Sequence, residues 1–251
     1  MARNPWFPYP VREGALHLVC LPHAGAGASS YRSWASTAPE GLSVCPVQPP
    51  GREGRGAEVA YDDVAAFVRD LAPVLLDTVP RPFALFGHST GALTAYELAR
   101  ELRRLGAPMP RHLFVAGRRA PHLPMPRTNL GNASVDTLRE TLRKLGGTPQ
   151  AVLEQDGLLR HLQPLLAADF HLNESYEFPG DEPLDVPITA FPALHDSGAG
   201  VAEMGPWNLH TTSDFYQLEL DGGHFAVFDQ AARVQAHMMQ QAEPSREQVV
   251  R

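Results

Sequence analysis

The chain has 251 residues and a formal net charge of −7 at pH 7. This length fits one large α/β domain better than two small ones, and the acidic balance argues against nucleic acid as a partner. Two cysteines are too few for a disulfide framework. The sequence shows neither an apolar signal segment near its start nor an apolar run that could span a bilayer. We therefore expect a cytoplasmic protein with no membrane partner.

Short apolar runs alternate with helical patterns through the first half of the chain. The apolar runs predict strands over residues 15–21, 42–48, 83–87 and 111–117, and the periodic segments predict helices over residues 31–37, 64–78 and 92–105. Apolar strands that alternate with helices form a mostly parallel sheet covered by helices on both faces. We therefore predict the α/β class, with a site at the carboxyl ends of the strands.

The strongest local signal is the pattern G-x-S-x-G at residues 87–91, which stands between a predicted strand and a predicted helix. In that context the serine sits on a sharp, strained turn, and its hydroxyl projects above the sheet. The positive end of the following helix then stabilises a developing oxyanion. Ser89 is therefore our candidate nucleophile. The alternative is a glycine–serine loop that only caps the helix.

Residues 121–182 interrupt the alternation with helical patterns, which we predict over residues 135–145, 150–155 and 158–176. The interruption follows the carboxyl end of a strand, so it lies over the edge that carries the site. We therefore predict a helical lid at about residues 121–182, inserted into a single α/β domain over residues 1–251. An ordinary helical subdomain with no gating role is the alternative.

The last part of the chain returns to the alternating pattern. It predicts strands over residues 186–194 and 215–220, a short helix over residues 201–210, and a helical tail from Asp229 that frays beyond Ala242.

Asp196 and His224 each follow one of these last two strands, and His224 comes directly after two glycines in the sequence. A serine hydroxyl needs a base within hydrogen-bond reach, and that base needs an orienting group. The chain order Ser89, Asp196, His224 is the order expected for this topology. We therefore predict a catalytic triad in which His224 takes the serine proton and Asp196 orients the imidazole.

Other residues compete for these two roles. The alternative bases are His23, His88 and His195, and His88 is next to the serine but turned away from its hydroxyl. The alternative acids are Asp214 and Asp221. Asp196 has the alternative role of a helix N-cap.

An acyl-transfer site also needs backbone N–H donors for the oxyanion. We assign Thr90, directly after the nucleophile, and Ala24, in the small-residue loop over residues 23–28 that follows the first strand. No histidine or cysteine cluster has zinc spacing, and no dinucleotide-binding glycine fingerprint is present, so the sequence implies no metal and no cofactor.

Four stretches make the sequence resemble the type II thioesterases that accompany modular polyketide and nonribosomal peptide synthetases. They are residues 21–27, 48–52, 87–91, and 145–149 followed by 168–170. The resemblance implies an α/β-hydrolase fold with a helical lid and a triad at the three positions above. It also implies hydrolysis of misloaded or stalled acyl groups from the phosphopantetheine arm of acyl or peptidyl carrier proteins. The sequence departs from the family at Thr90, where methionine is usual, and at residues 193–196, which replace a Gly-Asp-x-Asp pattern.

The resemblance leaves two other functions open. One is an acyltransferase or cyclase, in which an amine or hydroxyl replaces water, and the other is a non-catalytic carrier-binding protein. Arg118, Arg119 and Arg127 are candidates for contact with an acidic carrier, with solvated surface arginines as the alternative. We expect the protein to be a monomer.

Overall fold

The computed structural model describes residues 4–242. Within that range six strands form one sheet: β1 (Leu16–Leu21), β2 (Leu42–Pro46), β3 (Phe83–His88), β4 (Leu113–Ala116), β5 (Ile188–Phe191) and β6 (Phe215–Gln217). The α-helices are α1 (Arg32–Thr37), α2 (Val64–Thr78), α3 (Thr90–Arg104), α4 (Val135–Leu145), α5 (Gln150–Leu153), α6 (Asp156–Glu174), α7 (Val201–Met204), α8 (Ala226–Asp229) and α9 (Ala231–Ala242). All pairings between these strands are parallel.

The order of the strands sets the position of the site. The sheet runs β2-β1-β3-β4-β5-β6, so the chain leaves β1 toward one edge and returns past β1 to form β3. Such a change of direction opens a crevice at the carboxyl ends of the two strands on either side of it. The loop after β1 and the turn after β3, which holds Ser89, both lie at this crevice.

Alternate residues of the central strands pack into two apolar layers. Val19 and Leu21 of β1 belong to the layer that also contains α2 and α3, whereas Leu18 and Cys20 belong to the layer that contains Trp34 of α1. Because successive side chains of a strand point to opposite faces, both faces of the sheet are covered. The predicted α/β class with a mostly parallel sheet is therefore confirmed.

Residues 121–182 contain α4, α5 and α6, in agreement with the helical patterns of the sequence. Ser134 caps the start of α4, where its hydroxyl accepts a hydrogen bond of 3.1 Å from the Thr137 N–H, and Gly146 ends the helix with a φ of 79°. The three helices share a separate apolar cluster, which contains Leu138, Leu142, Leu153, Leu159 and Leu166. This segment therefore packs around a small core of its own.

Three elements near the end of the chain are shorter than predicted, and one of them is β5, which covers Ile188–Phe191 where the sequence predicts residues 186–194. Strand β6 ends at Gln217 because it pairs with β5 alone, and Leu220 makes only an isolated bridge to Ala193. The helix predicted over residues 201–210 becomes α7 and then a 3₁₀ turn, since Pro206 lacks the N–H that an α-helix needs. The predicted fraying beyond Ala242 lies outside the described residues. Between residues 4 and 242, the helices are all too short or too polar to cross a membrane.

Candidate active site

Ser89 occupies a strained turn between β3 and α3. Its backbone has a φ of 56° and a ψ of −122°, a conformation that residues other than glycine rarely adopt. The two flanking glycines leave room for the turn. A Cβ on Gly87 would lie 2.0 Å from the Gly91 carbonyl oxygen, and a Cβ on Gly91 would lie 2.1 Å from the Leu21 carbonyl oxygen. The close approach of backbone to backbone thus explains the G-x-S-x-G pattern.

Because the Gly91 contact is with backbone atoms, we expect Gly91→Ala to lower the free energy of unfolding by about 3 kcal/mol or more. Gly157→Ala is the matched control, since a Cβ on Gly157 in α6 would meet nothing within 4 Å. That control should gain up to about 1 kcal/mol from better helix propensity. Urea unfolding of both variants measures the difference, and equal losses would contradict the packing argument.

Asp196 and His224 form a direct hydrogen bond. His224 Nδ1 donates to Asp196 Oδ2 at 2.6 Å, and the two side chains are 12 % and 9 % exposed. The other carboxylate oxygen, Asp196 Oδ1, accepts the N–H groups of Gly198 and Ala199 at 2.9 and 3.2 Å. One oxygen therefore holds the turn, as in the cap alternative, while the second orients the imidazole.

The surroundings of Asp196 keep it ionised. Burial raises the pKa of this carboxyl, but the hydrogen bond and charge of His224, together with the two backbone N–H donors, lower it more, so the pKa of Asp196 falls below its ordinary value. An ionised Asp196 holds the proton of His224 on Nδ1. The Nε2 atom of His224 is then free to accept a proton.

His88 holds the backbone of His224 through a hydrogen bond. Its side chain is fully buried, and its Nε2–H donates to the backbone carbonyl of His224 at 2.8 Å. Burial, reinforced by His224 and His23, lowers the pKa of His88 well below the ordinary value, so the ring stays neutral. Gly117 makes room for both rings, since a Cβ there would lie 2.6 Å from His88 Nε2 and 3.1 Å from His224 Cε1. Among the described residues His88 makes no hydrogen bond to the Ser89 hydroxyl, and its contact with the His224 backbone could not be seen in the sequence.

Ser89 and His224 both line the same cavity of about 240 Å³. Within residues 4–242 no hydrogen bond joins the Ser89 hydroxyl to His224. Such bonds are often long in the absence of substrate and tighten in the complex. The cavity wall opposite the serine is apolar and comes from the helical segment; it includes Leu142, Leu145, Val152, Leu162, Leu166 and Phe170.

The N–H groups of Ala24 and Thr90 are available as donors. Neither donates to a backbone or side-chain acceptor of the described chain. Thr90 is the first residue of α3, where the N–H has no partner within the helix. Ala24 lies in the loop after β1 and lines the cavity beside Ser89. Both assigned donors are therefore unpaired at the crevice.

The competing residues have other surroundings. His195 and Asp221 contact each other at 3.2 Å on the surface, with side chains 70 % and 84 % exposed. His23 lines the cavity, and burial is the main cause that lowers its pKa to about 4. It is therefore neutral at physiological pH.

The structure corrects one predicted surface contact. Arg118 is buried, with 2 % exposure; its Nε donates to Asn173 at 2.7 Å, and its guanidinium lies 5.8 Å from the centre of the Tyr176 ring. Burial lowers the pKa of Arg118 to about 10. It therefore cannot meet a carrier protein. Arg127 is exposed, as a surface contact requires.

Two charged residues that the sequence linked only to a family resemblance make a buried contact near Ala24. Arg52 follows β2 and Asp169 lies in α6, and their side chains form an ion pair. The sequence signal for Asp169 was a single carboxylate in an otherwise apolar stretch of a predicted helix, whereas Arg52 stands in a polar turn and gave no such signal.

The parallel sheet, the strained serine turn and the Asp196–His224 pair define an α/β hydrolase. The family model of the thioesterase domain matches residues 16–241, and the chain therefore belongs to the thioesterase family. It is a hydrolase that cleaves thioesters, as predicted, and it is similar to the type II thioesterases of nonribosomal peptide and polyketide pathways.

Individual relatives match over almost the whole chain. The gramicidin S biosynthesis protein GrsT of Aneurinibacillus migulanus is 37% identical over 228 residues, which cover 90% of this chain and 89% of GrsT. RedJ, a thioesterase from the prodiginine pathway of Streptomyces coelicolor, superposes with a TM-score of 0.82 at 37% identity and covers 94% of this chain and 92% of its own. BorB, a type II thioesterase from the borrelidin cluster, superposes with a TM-score of 0.86 at 31% identity and covers 97% and 100%.

Proposed function

We propose that this thioesterase removes acyl groups from the phosphopantetheine arm of acyl or peptidyl carrier proteins through an acyl-enzyme on Ser89. The observation that carries the proposal is the cavity in which Ser89, His224 and Ala24 meet the apolar side chains of α4 to α6. An apolar cavity with a few polar groups at one end suits an acyl chain with its reactive carbon beside the serine. The similarity to biosynthetic thioesterases supports a carrier-bound substrate.

In the proposed reaction the Ser89 oxygen attacks the thioester carbonyl while its proton moves to His224 Nε2. The N–H groups of Ala24 and Thr90 stabilise the oxyanion of the tetrahedral intermediate. When the C–S bond breaks, His224 gives the proton to the departing sulfur. A water molecule then attacks the acyl-enzyme with His224 as base, which releases the free acid and returns a proton to Ser89.

We also propose that residues 121–182 act as a lid within a single domain. The helices of this segment form the apolar wall of the cavity and share an apolar cluster of their own, which supports a lid role, while Leu172 anchors α6 to the main core. A lid closed over the bound acyl chain would keep bulk water away from the thioester while the acyl-enzyme forms. A monomer that acts on a separate carrier protein is the simplest assembly for this task.

Mass spectrometry tests the proposed function. The enzyme is mixed with a carrier protein that bears a butyryl-phosphopantetheine arm, and the products are followed in time together with peptide mapping of the enzyme. We expect a transient gain of one butyryl group on the peptide that contains Ser89, with release of butyrate and of carrier bearing a free thiol.

Other outcomes would point to other functions. An adduct that persists until an amine or alcohol is added would favour a transferase or cyclase. Retention of the intact acyl-carrier, with stable binding but no adduct, would favour a carrier-binding protein. An adduct on any other residue would overturn the assignment of Ser89.

A further inference from the structure

Arg52 and Asp169 form a two-pronged ion pair inside the protein. Arg52 Nη1 lies 2.6 Å from Asp169 Oδ2, and Arg52 Nη2 lies 2.8 Å from Asp169 Oδ1. The side chains are only 6 % and 7 % exposed. The pair joins the turn after β2 to α6, the long helix of the proposed lid. Paired hydrogen bonds of this kind fix direction as well as distance.

The same two residues hold the loop that contains Ala24. Asp169 Oδ2 accepts the N–H of Gly25 at 2.7 Å, and Arg52 Nη1 donates to the carbonyl of Ala26 at 3.2 Å. The two residues that the pair binds, Gly25 and Ala26, therefore lie within two positions of Ala24 in the chain. Gly25 has a φ of 76°, and a Cβ there would lie 2.7 Å from the Leu166 side chain of α6. Helix α6 is thus seated directly on the loop.

Gln48 secures the other end of the same loop. Its Oε1 accepts the Ala28 N–H at 2.9 Å, and its Nε2 donates to the Arg52 carbonyl at 3.1 Å. The loop is therefore held by two side chains from the segment that follows β2, Gln48 and Arg52, and by Asp169 from α6. These contacts leave the Ala24 N–H without an internal acceptor while its neighbours are fixed.

Stability alone does not account for this arrangement. A buried ion pair contributes about as much stability as a well-packed apolar pair of similar volume, because desolvation offsets the attraction. What the ion pair adds is a fixed direction for the backbone groups that it binds. An oxyanion donor has to be held within a few tenths of an ångström of its productive position.

We propose that Arg52 and Asp169 are positioning residues for the oxyanion hole, and that the proposed lid completes this hole by supplying Asp169. The proposal rests on the proposed role of Ala24 as a donor. When α6 is seated, its carboxylate fixes the Gly25 N–H and so aims the preceding N–H of Ala24 at the reacting carbonyl. When α6 lifts, the donor loses its anchor. Acyl transfer is therefore restricted to the closed lid.

The decisive variant is the double substitution Arg52→Met with Asp169→Leu. Either single substitution leaves an unpaired buried group, so we expect both to lower the thermal midpoint and kcat. The double variant replaces the pair with apolar side chains and leaves no buried charge, so we expect its thermal midpoint to lie above those of both single variants. It stays somewhat below the wild type, because the Gly25 N–H and the Ala26 carbonyl lose their side-chain partners. Its kcat should stay about 100-fold below the wild type with KM within threefold, because the donor loop is misplaced.

The assay uses p-nitrophenyl butyrate, whose hydrolysis needs the oxyanion hole but no carrier protein. The result of this assay can therefore be interpreted even if the protein does not act on carrier-bound substrates. Inhibition by a butyl boronic acid, which mimics the tetrahedral intermediate, is measured beside it. We expect the inhibition constant to weaken by the same factor as kcat/KM. Asp156→Asn removes one of the two exposed carboxylate partners of Arg139 in the same helical segment and should change neither value.

Two outcomes would overturn the proposal. If kcat and boronate affinity recover together with the thermal midpoint in the double variant, the pair is only structural. If KM rises while kcat stays unchanged, the pair serves substrate binding and not the oxyanion hole.

Discussion

Replacing Ser89 with alanine should reduce kcat for acyl-thioester hydrolysis by about 10⁶-fold. The variant lacks the oxygen that forms the acyl-enzyme, and the residual rate comes from water attack assisted by the oxyanion donors. The fold should be retained, because alanine and serine have the same Cβ in the strained conformation at φ 56°. Quenched-flow measurement of acid release from a butyryl-carrier protein gives the rate.

Ser36→Ala is the matched control, because Ser36 is an exposed serine of α1 whose hydroxyl donates only to the Ser33 carbonyl. We expect full turnover for this control and no acyl adduct for the Ser89 variant. Binding of acyl-carrier should be equal in both. A Ser89 variant that keeps more than about a hundredth of the wild-type kcat would exclude Ser89 as the nucleophile, since loss of a nucleophile costs far more than 100-fold.

Asp196→Asn should lower kcat by about 10⁴-fold at neutral pH. The reason lies in the two oxygens of this carboxylate. Because Oδ1 accepts the N–H groups of Gly198 and Ala199, the oxygen of an asparagine would remain at that position. Its NH₂ group would then face His224 Nδ1 and force the imidazole proton onto Nε2. That tautomer cannot accept the serine proton.

Asp221→Asn provides the control, since Asp221 also contacts a histidine but does so on the surface. We expect the turnover of that variant to stay within twofold of the wild type. The tautomer can be read directly from the ¹⁵N chemical shifts of the His224 ring in the Asp196 variant. A large loss in the Asp221 variant, with little loss in the Asp196 variant, would transfer the orienting role to Asp221.

Local sequence carries most of the information about the serine turn. The strand, the turn and helix α3 are consecutive, and Gly87 approaches the Gly91 backbone within five residues, so the strained conformation of Ser89 follows largely from neighbours in the chain. The requirement for glycine at position 91 comes instead from Leu21 of β1, which is distant in the chain. The alternation of apolar runs and helical patterns likewise predicted the parallel sheet, because each run is buried on both faces. The ends of β6 and of the helix that begins at Val201 were less well predicted, since they depend on edge pairing and on Pro206.

Chain order, a feature of the sequence, named Asp196 and His224 as candidates, but only the tertiary structure brings them to 2.6 Å. Their catalytic roles remain a prediction that the variants above test. The prediction that Arg118 forms a surface contact was wrong, because Arg118 is buried against Asn173 and Tyr176, which are distant in the chain.

The sequence by itself determined the class of fold, the strained serine turn and the membership suggested by the family motifs. All three depend on short segments in which each residue is close to its partners. The tertiary structure decided which charged side chains are buried and what they hold. Arg52 and Asp169 are 117 residues apart. No local pattern indicates that they pair with each other or that both bind the loop that contains Ala24. A contact between distant segments is set by the packing of the whole sheet and its helices, which no local stretch of the sequence encodes.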